Sequence, residues 1–269
     1  MPSEPLPLTA GARGCVLCGQ TFREADMIHI GGSWVCAACK PLFVQRMEEG
    51  VGPTAGFRDL SRLTAWLKGS LIAGVVVACL ALASDCLLIG ELRGGGEQVS
   101  GELMTSDIHQ GAVGLIQFCV YVTTAVLFLR WIYFANSNAR ALGASGMRFS
   151  PGWSIGWYFI PVATLWKPYQ AMKEIWQASA DARNWLNVVV PTLLPAWWTL
   201  WLVSNFLGQA SLRLSMRAND PEGLIAAAFV SLLSNAVDIP LGLVALRLVR
   251  TIWHGQKHQE AAGVVLAAA

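Results

Sequence analysis

The stretch SLIAGVVVACLALASDCLL at residues 70–88 decides the fold. After Ser70 it is apolar apart from Ser84 and Asp85 near its far end. A helix of about 20 such residues crosses a bilayer hydrocarbon core of about 30 Å, so this is expected to be a first membrane span. No soluble core is needed to explain it.

Three more such stretches are expected downstream. Gly111 to Tyr133 is apolar and ends in Arg130, Trp131 and Tyr133, the cationic and aromatic mixture of a headgroup boundary. Val188 to about Leu207 and about Gly223 to Val249 complete a set of four. Between the second and third lies a segment crowded with Trp and Tyr, from Trp153 to Trp166, broken by Pro161. It is short for a crossing and aromatic enough for the interface, so a re-entrant or interfacial element is expected there. Helical signals resume at Tyr169 to Ala182. Residues 91–110, Gly-rich and carrying Glu91, Glu97, Glu102 and Asp107, read as a solvated loop.

Composition agrees. Hydrophobic residues make up 54% of the 269 and charged residues only 13%, an apolar excess that a water-facing surface does not accommodate. The formal charge of +2 carries no nucleic-acid footprint, so nucleic acid is not an expected partner and the lipid bilayer is. The first sixty residues hold no apolar run of the length a secretory signal needs, and the first span is expected to stay as an anchor.

Cationic residues fix the orientation. If the Trp-rich segment does not cross, four spans put every one of the 19 Lys and Arg on the inner side except Arg93, Arg213 and Arg217. If it does cross, Lys167, Lys173, Arg183, Arg247, Arg250 and Lys257 move outside. The positive-inside rule selects the first arrangement, with both termini cytoplasmic.

The polar head carries a second signal. Cys15-Val16-Leu17-Cys18, then seventeen residues, then Cys36-Ala37-Ala38-Cys39 form two metal knuckles. Four thiolates close a tetrahedral shell with no open position, which suits structural Zn2+ and leaves no place for a catalytic water. Two disulfides would need an oxidising compartment, and an iron–sulfur centre is a further use of four cysteines. Cys79, Cys86 and Cys119, in apolar runs, pack as small hydrophobes. His29 reads as a surface side chain, and His254 and His258 as exposed residues sharing one helical face.

The domains expected are a flexible leader at 1–14, a zinc ribbon at 15–45, a linker with a short amphipathic juxtamembrane helix at 46–68, a transmembrane domain at 69–250 and a tail at 251–269. Phe57, Leu60, Leu63 and Leu67, with Arg58 and Arg62 between them, carry the amphipathic helix, set off by the break at Gly50-Val51-Gly52-Pro53. The fold class is thus an all-α polytopic membrane protein with a small N-terminal zinc ribbon.

Ionisable groups in lipid cost a few kcal/mol and need a partner or a use. Asp238 lies near the middle of the fourth expected span, close to Asn235 and just before Pro240, and is the candidate for an ion or proton site or for a bond between helices. Asp85 sits toward the outer end of the first span and is expected to snorkel to water. Gln117 and Asn205 read as hydrogen-bonders between helices. No nucleophile or acid–base motif is present in the sequence.

A longer pattern runs through the middle of the chain: Phe128-Leu129-Arg130-Trp131-Ile132-Tyr133, Asn136-Ser137-Asn138-Ala139-Arg140, Leu142-Gly143, Arg148-Phe149-Ser150-Pro151-Gly152-Trp153, Gly156-Trp157, Pro161, Lys167-Pro168-Tyr169 and Glu174-Ile175-Trp176. With Trp197-Trp198 it resembles the DUF4328 family of bacterial membrane proteins, over roughly residues 57–255. The head, with Cys39-Lys40-Pro41 and Glu49-Gly50, resembles the four-cysteine ribbons that precede other bacterial multi-span domains. The resemblance implies a bacterial inner-membrane location and supplies no catalytic set. Two functions are therefore carried forward. One is a non-enzymatic scaffold, regulator or accessory subunit whose ribbon binds a protein partner or a second copy of the chain. The other is a small transporter or channel using Asp238, Asn235 and the Pro-broken segment.

Overall fold

The computed structural model describes residues 12–18, 20–30, 33–48, 56–94, 99–218 and 220–268. Most of the leader and the break at Gly50-Val51-Gly52-Pro53 lie outside them. The head holds two antiparallel hairpins. Strand β1 (Ala12–Gly14) pairs with β2 (Thr21–Arg23), and β3 (Met27–Ile30) pairs with β4 (Ser33–Cys36) in the register Met27 to Cys36 and Ile28 to Val35. Helix α1 (Lys40–Glu48) follows. Val35 and Phe43 are fully buried beside Cys15, Cys36 and Met27, a core too small to hold two hairpins by burial alone.

The rest of the described chain is helical. Helix α2 (Ser61–Gly94), α3 (Val99–Ala141), α6 (Leu193–Ser215) and α7 (Pro221–Ala268) are the long elements; α4 (Pro151–Gly156) and α5 (Lys167–Ala180) sit between α3 and α6. Three of these are long and apolar enough to cross a membrane: α2 over Ser61–Arg93, α3 over Gly111–Ala141 and α7 over Glu222–Ala261. Leu80, Leu115, Phe118, Val126 and Leu243 stand exposed on them, an outward apolar surface suited to lipid. The expected third span, α6, is not among the three. Its 23 residues are long enough at about 1.5 Å each, but Trp197, Trp198, Trp201, Asn205 and Gln209 lower its mean hydropathy. It also begins later than expected, at Leu193, because Pro191 disfavours helix in the residue before it.

Several expected boundaries are corrected. The amphipathic helix and the first span are one continuous helix, since Arg62 and Lys68 interrupt apolarity without interrupting the backbone ladder. The acidic segment at 91–110 is helical up to Gly94 and again from Val99. Helix α7 runs past Val249 through the expected tail to Ala268, and Pro240 sits inside it, costing one hydrogen bond to the Ala236 carbonyl without ending the helix.

The Trp-rich segment forms no long helix. Ser150 caps α4, its Oγ accepting from the Trp153 amide at 3.3 Å, with Pro151 at the first helical position. Single 3-10 turns follow at Trp157–Phe159 and Ala163–Leu165, on either side of Pro161. The Trp198 indole on α6 donates to the Leu165 carbonyl at 3.0 Å and anchors the second turn. The main core lies at this end of the bundle, where Leu67, Trp131, Ile132, Met172, Ile175, Trp197, Leu248 and Ile252 bring α2, α3, α6 and α7 around α5.

Candidate functional site

Three polar constellations stand out, and each begins with groups that apolar surroundings must satisfy. The first is the cysteine cluster. The turn after β1 is closed by the Cys15 amide donating to the Gln20 carbonyl at 2.9 Å, and the turn after β4 by the Cys39 amide donating to the Cys36 carbonyl at 3.0 Å. A bond from the Val16 amide to the Trp34 carbonyl at 3.0 Å docks one knuckle against the other hairpin. All four sulfurs, of Cys15, Cys18, Cys36 and Cys39, then lie within 4.8 Å of one another. A tetrahedron of sulfurs about 2.3 Å from one ion has edges of about 3.8 Å, so the set fits a single metal. None of the four is in a disulfide.

The thiols are unequal. Burial pushes Cys15 up, but amide donors led by Cys36, whose N–H lies 3.4 Å from the sulfur, outweigh it and bring the thiol down to about 6. Burial pushes Cys18 and Cys39 upward. A divalent cation would draw protons from those two, coupling occupancy to pH. His29 is exposed against Trp34, and no metal-capable group of three or more such residues among those described includes His254 or His258.

The second constellation crosses the apolar helices. Gln117 on α3 donates to the Asn235 side-chain oxygen at 2.8 Å, and Asn235 on α7 donates to the Asp85 carboxylate on α2 at 2.8 Å. One amide therefore links three helices. Asp85 is only 5% exposed, so it does not snorkel: Asn235 supplies the donor that water was expected to give. Asp238 stands three residues along α7 but takes a different partner, the Ser204 hydroxyl of α6. Asn205 stays local, donating to the Trp201 carbonyl at 2.7 Å.

The third was not anticipated from the sequence, although its residues carry the family pattern. Arg140, 1% exposed near the end of α3, donates from Nε to the Asn136 side-chain oxygen at 3.0 Å and from Nη2 to the carbonyls of Met147 and Phe149 at 3.1 and 2.8 Å. Asn136 donates to the Phe149 carbonyl and to Ser154 at 3.0 and 2.8 Å. Glu174 on α5 accepts from the amides of Arg148 and Phe149 at 3.0 and 3.3 Å. Gly143, at φ +106°, ends α3 in the left-handed turn from which this loop departs. Beside it, Asn138 grips both the amide and the carbonyl of Arg58 at 2.9 and 2.8 Å. Gln256 of α7 donates to the Ala135 carbonyl and the Ser179 hydroxyl at 2.8 and 3.0 Å. The only signal for these roles was clustering of Asn, Arg and Gln at the ends of apolar helices.

A small cavity lies next to that loop, lined by Arg148, Phe149, Trp153, Trp157 and Lys167. Compared with known proteins, residues 98–254 match the DUF4328 family, described as a domain of unknown function. That match covers the loop-binding residues and Asn235 and Asp238, and leaves out the four cysteines and Asp85. No curated protein and no solved structure matches.

Proposed function

The chain belongs to the DUF4328 family, and from that premise we propose that it is an integral membrane scaffold, regulatory or accessory subunit without chemistry of its own. One observation carries the reading: Asp85, Gln117, Asn235 and Asp238, polar groups of the apolar helices, are each tied to another helix. Asn235 joins Gln117 to Asp85, Ser204 holds Asp238, and Arg140 and Glu174 hold a loop. Such bonds assemble a bundle.

In this reading α6 supplies a fourth crossing beside α7, the chain sits in the bacterial inner membrane with both termini cytoplasmic, and α4 and α5 lie at the inner interface. Inward-collected Lys and Arg support that orientation. The four cysteines hold structural Zn2+ in a ribbon; thiolate donors select soft or borderline ions, and a closed shell suits zinc. The metal-bound head presents the surface for a cytoplasmic protein partner or a second copy of the chain.

Purification from mild detergent tests this directly. Wild type is expected to carry about one zinc per chain and to recover a stoichiometric partner, and the Cys15→Ser/Cys18→Ser variant to lose both while its helices remain. A chain that purifies alone and metal-free in both forms would remove the proposal.

A second reading, a small ion or solute conduit, is favoured by Asp85 and Asp238, two carboxylates in apolar helices that are held by a neutral amide and a hydroxyl and, among the described residues, form no ion pair with a cation. Equal flux through vesicles bearing wild type or Asp238→Asn would exclude that carboxylate from transport.

A further inference from the structure

The cavity beside the loop has an unusual wall. The Lys167 ammonium lies 5.7 Å from the Phe149 ring centre and 5.6 Å from that of Trp157, and the Arg148 guanidinium lies 6.0 Å from the same Phe149 ring. Two cations therefore converge on one aromatic side chain, with Trp153 packed against Trp157 at 4.9 Å to close the wall. Among the described residues neither cation forms an ion pair. Glu174 also interacts electrostatically with Arg148, but its Oε2 accepts from the two backbone amides of the same loop and makes no ion pair with the Arg148 side chain. Both cations line the same cavity, and an anion held in it would be attracted by each.

The surroundings narrow the anion. Trp153, Phe159, Val162, Leu165 and Trp166, from the same segment, are exposed apolar side chains, Phe159 at 73%. Elsewhere in the bundle Arg58 and Arg130 lie over Phe134, and Lys68 over Trp253, the same cation-on-aromatic pattern, which is that of a headgroup layer. An anion here would be bordered by apolar side chains for acyl tails on one side and by cations on the other.

We infer that Arg148 and Lys167, walled by Phe149, Trp153 and Trp157, bind the phosphate of an anionic phospholipid headgroup at the inner membrane surface. The tails would lie along the exposed face from Phe159 to Trp166. The inference rests on the bilayer placement proposed above. If the purified chain stays dissolved without detergent, that placement fails; if it needs detergent but shows no lipid preference, the site alone fails.

The test is native mass spectrometry of the detergent-purified full chain, offered equal phosphatidylglycerol and phosphatidylcholine. Wild type is expected to retain phosphatidylglycerol preferentially. Arg148→Gln/Lys167→Gln should lower the preference about thirtyfold, at roughly fivefold per cation removed at a membrane surface. Arg148→Lys/Lys167→Arg should keep it, as should Arg213→Gln/Arg217→Gln on the far side of the bundle. An unchanged preference in the Gln variant overturns the site. So does a loss shared by the charge-keeping variant, which would mark a folding defect. A third arm adds inorganic phosphate: if millimolar phosphate displaces phosphatidylglycerol and phosphatidylcholine alike, the ligand is soluble phosphate and the lipid assignment is overturned.

Discussion

Arg140 and Glu174 hold one loop from two helices: Arg140, on α3, donates to the carbonyls of Met147 and Phe149, while Glu174, on α5, accepts from the amides of Arg148 and Phe149. Phe149 is thereby gripped at both ends of its backbone. The loop it anchors carries α4 and the Trp-rich turns, so these two side chains set where the aromatic segment lies against the bundle.

Removing one grip leaves buried amides without an acceptor, which costs about 1–3 kcal/mol per group. Glu174→Leu should destabilise the helical bundle by about 2–4 kcal/mol, read as a lower midpoint in thermal unfolding in detergent. Glu174→Gln keeps an acceptor oxygen and should lose little. If both variants melt with wild type, the loop is held by something else.

The same carboxyl gives a pH dependence. Burial pushes it above the ordinary 4.5, and the Phe149 and Arg148 amides with the Arg148 and Arg140 charges pull it down less than burial pushes it up. A carboxyl raised in the fold favours the protonated folded state. Its contribution is complete below the unfolded value and is lost as pH rises through the raised one. Relative to wild type, Glu174→Gln should therefore gain stability as pH rises through and above about 4.5, well below which both side chains are neutral. A difference that stays flat with pH would mean that the carboxyl titrates normally.

The cysteine spacing was legible because two residues between cysteines leave one local geometry, and the apolar runs because bilayer thickness fixes their length. Element ends were less so: Arg58 and Arg62 suggested a separate surface helix, yet charge changes what a helix faces and not whether its backbone ladder continues. The bond between Asp85 and Asn235 spans 150 positions in the chain and depends on how α2 packs against α7, which no local pattern encodes. Asp238 was read as Asn235's companion from proximity in sequence, but although a separation of three keeps both on one side of α7, Asn235 bonds Asp85 of α2 and Asp238 bonds Ser204 of α6. Gln256 and Gln259 looked like tail residues because the apolar run ends before them; α7 continues, and they become contacts to α5.

Asn235 offers the clearest probe of the membrane layer. Asn235→Val removes the donor to Asp85 and the acceptor of Gln117 together, while keeping a side chain of similar size. Bonds of this kind between membrane helices contribute about 0.6–2 kcal/mol each, so a loss of about 1–3 kcal/mol is expected. Combining it with Asp85→Leu should cost less than the two single changes added, because the second removes the carboxylate that the first leaves unpaired. Strict additivity would show that the pair does not interact.

Gly255 marks a close approach of two backbones in the bundle. It lies where α7 crosses the end of α5, and a Cβ there would collide with the Ser179 carbonyl oxygen. The approach lets Gln259 donate to the carbonyls of Ala178 and Ser179 at 3.2 and 2.7 Å, groups at a helix end that the helix cannot satisfy itself. Its side-chain oxygen accepts from the Ala182 amide at 2.8 Å, tying down the chain just past that end. Both partners are backbone, so neither can swing aside. Gly255→Ala should push α5 and α7 apart, lengthen the bonds of Gln256 and Gln259 and cost about 1–3 kcal/mol, despite alanine's better helix propensity. Gly208→Ala is the matched control: its Cβ would meet Ser234 Oγ at an ordinary 3.9 Å, and the change should be neutral or stabilising. Thermal midpoints of the two variants in one detergent separate these effects, and equal midpoints would mean that α5 and α7 do not touch as closely as Ser179 and Gly255 require.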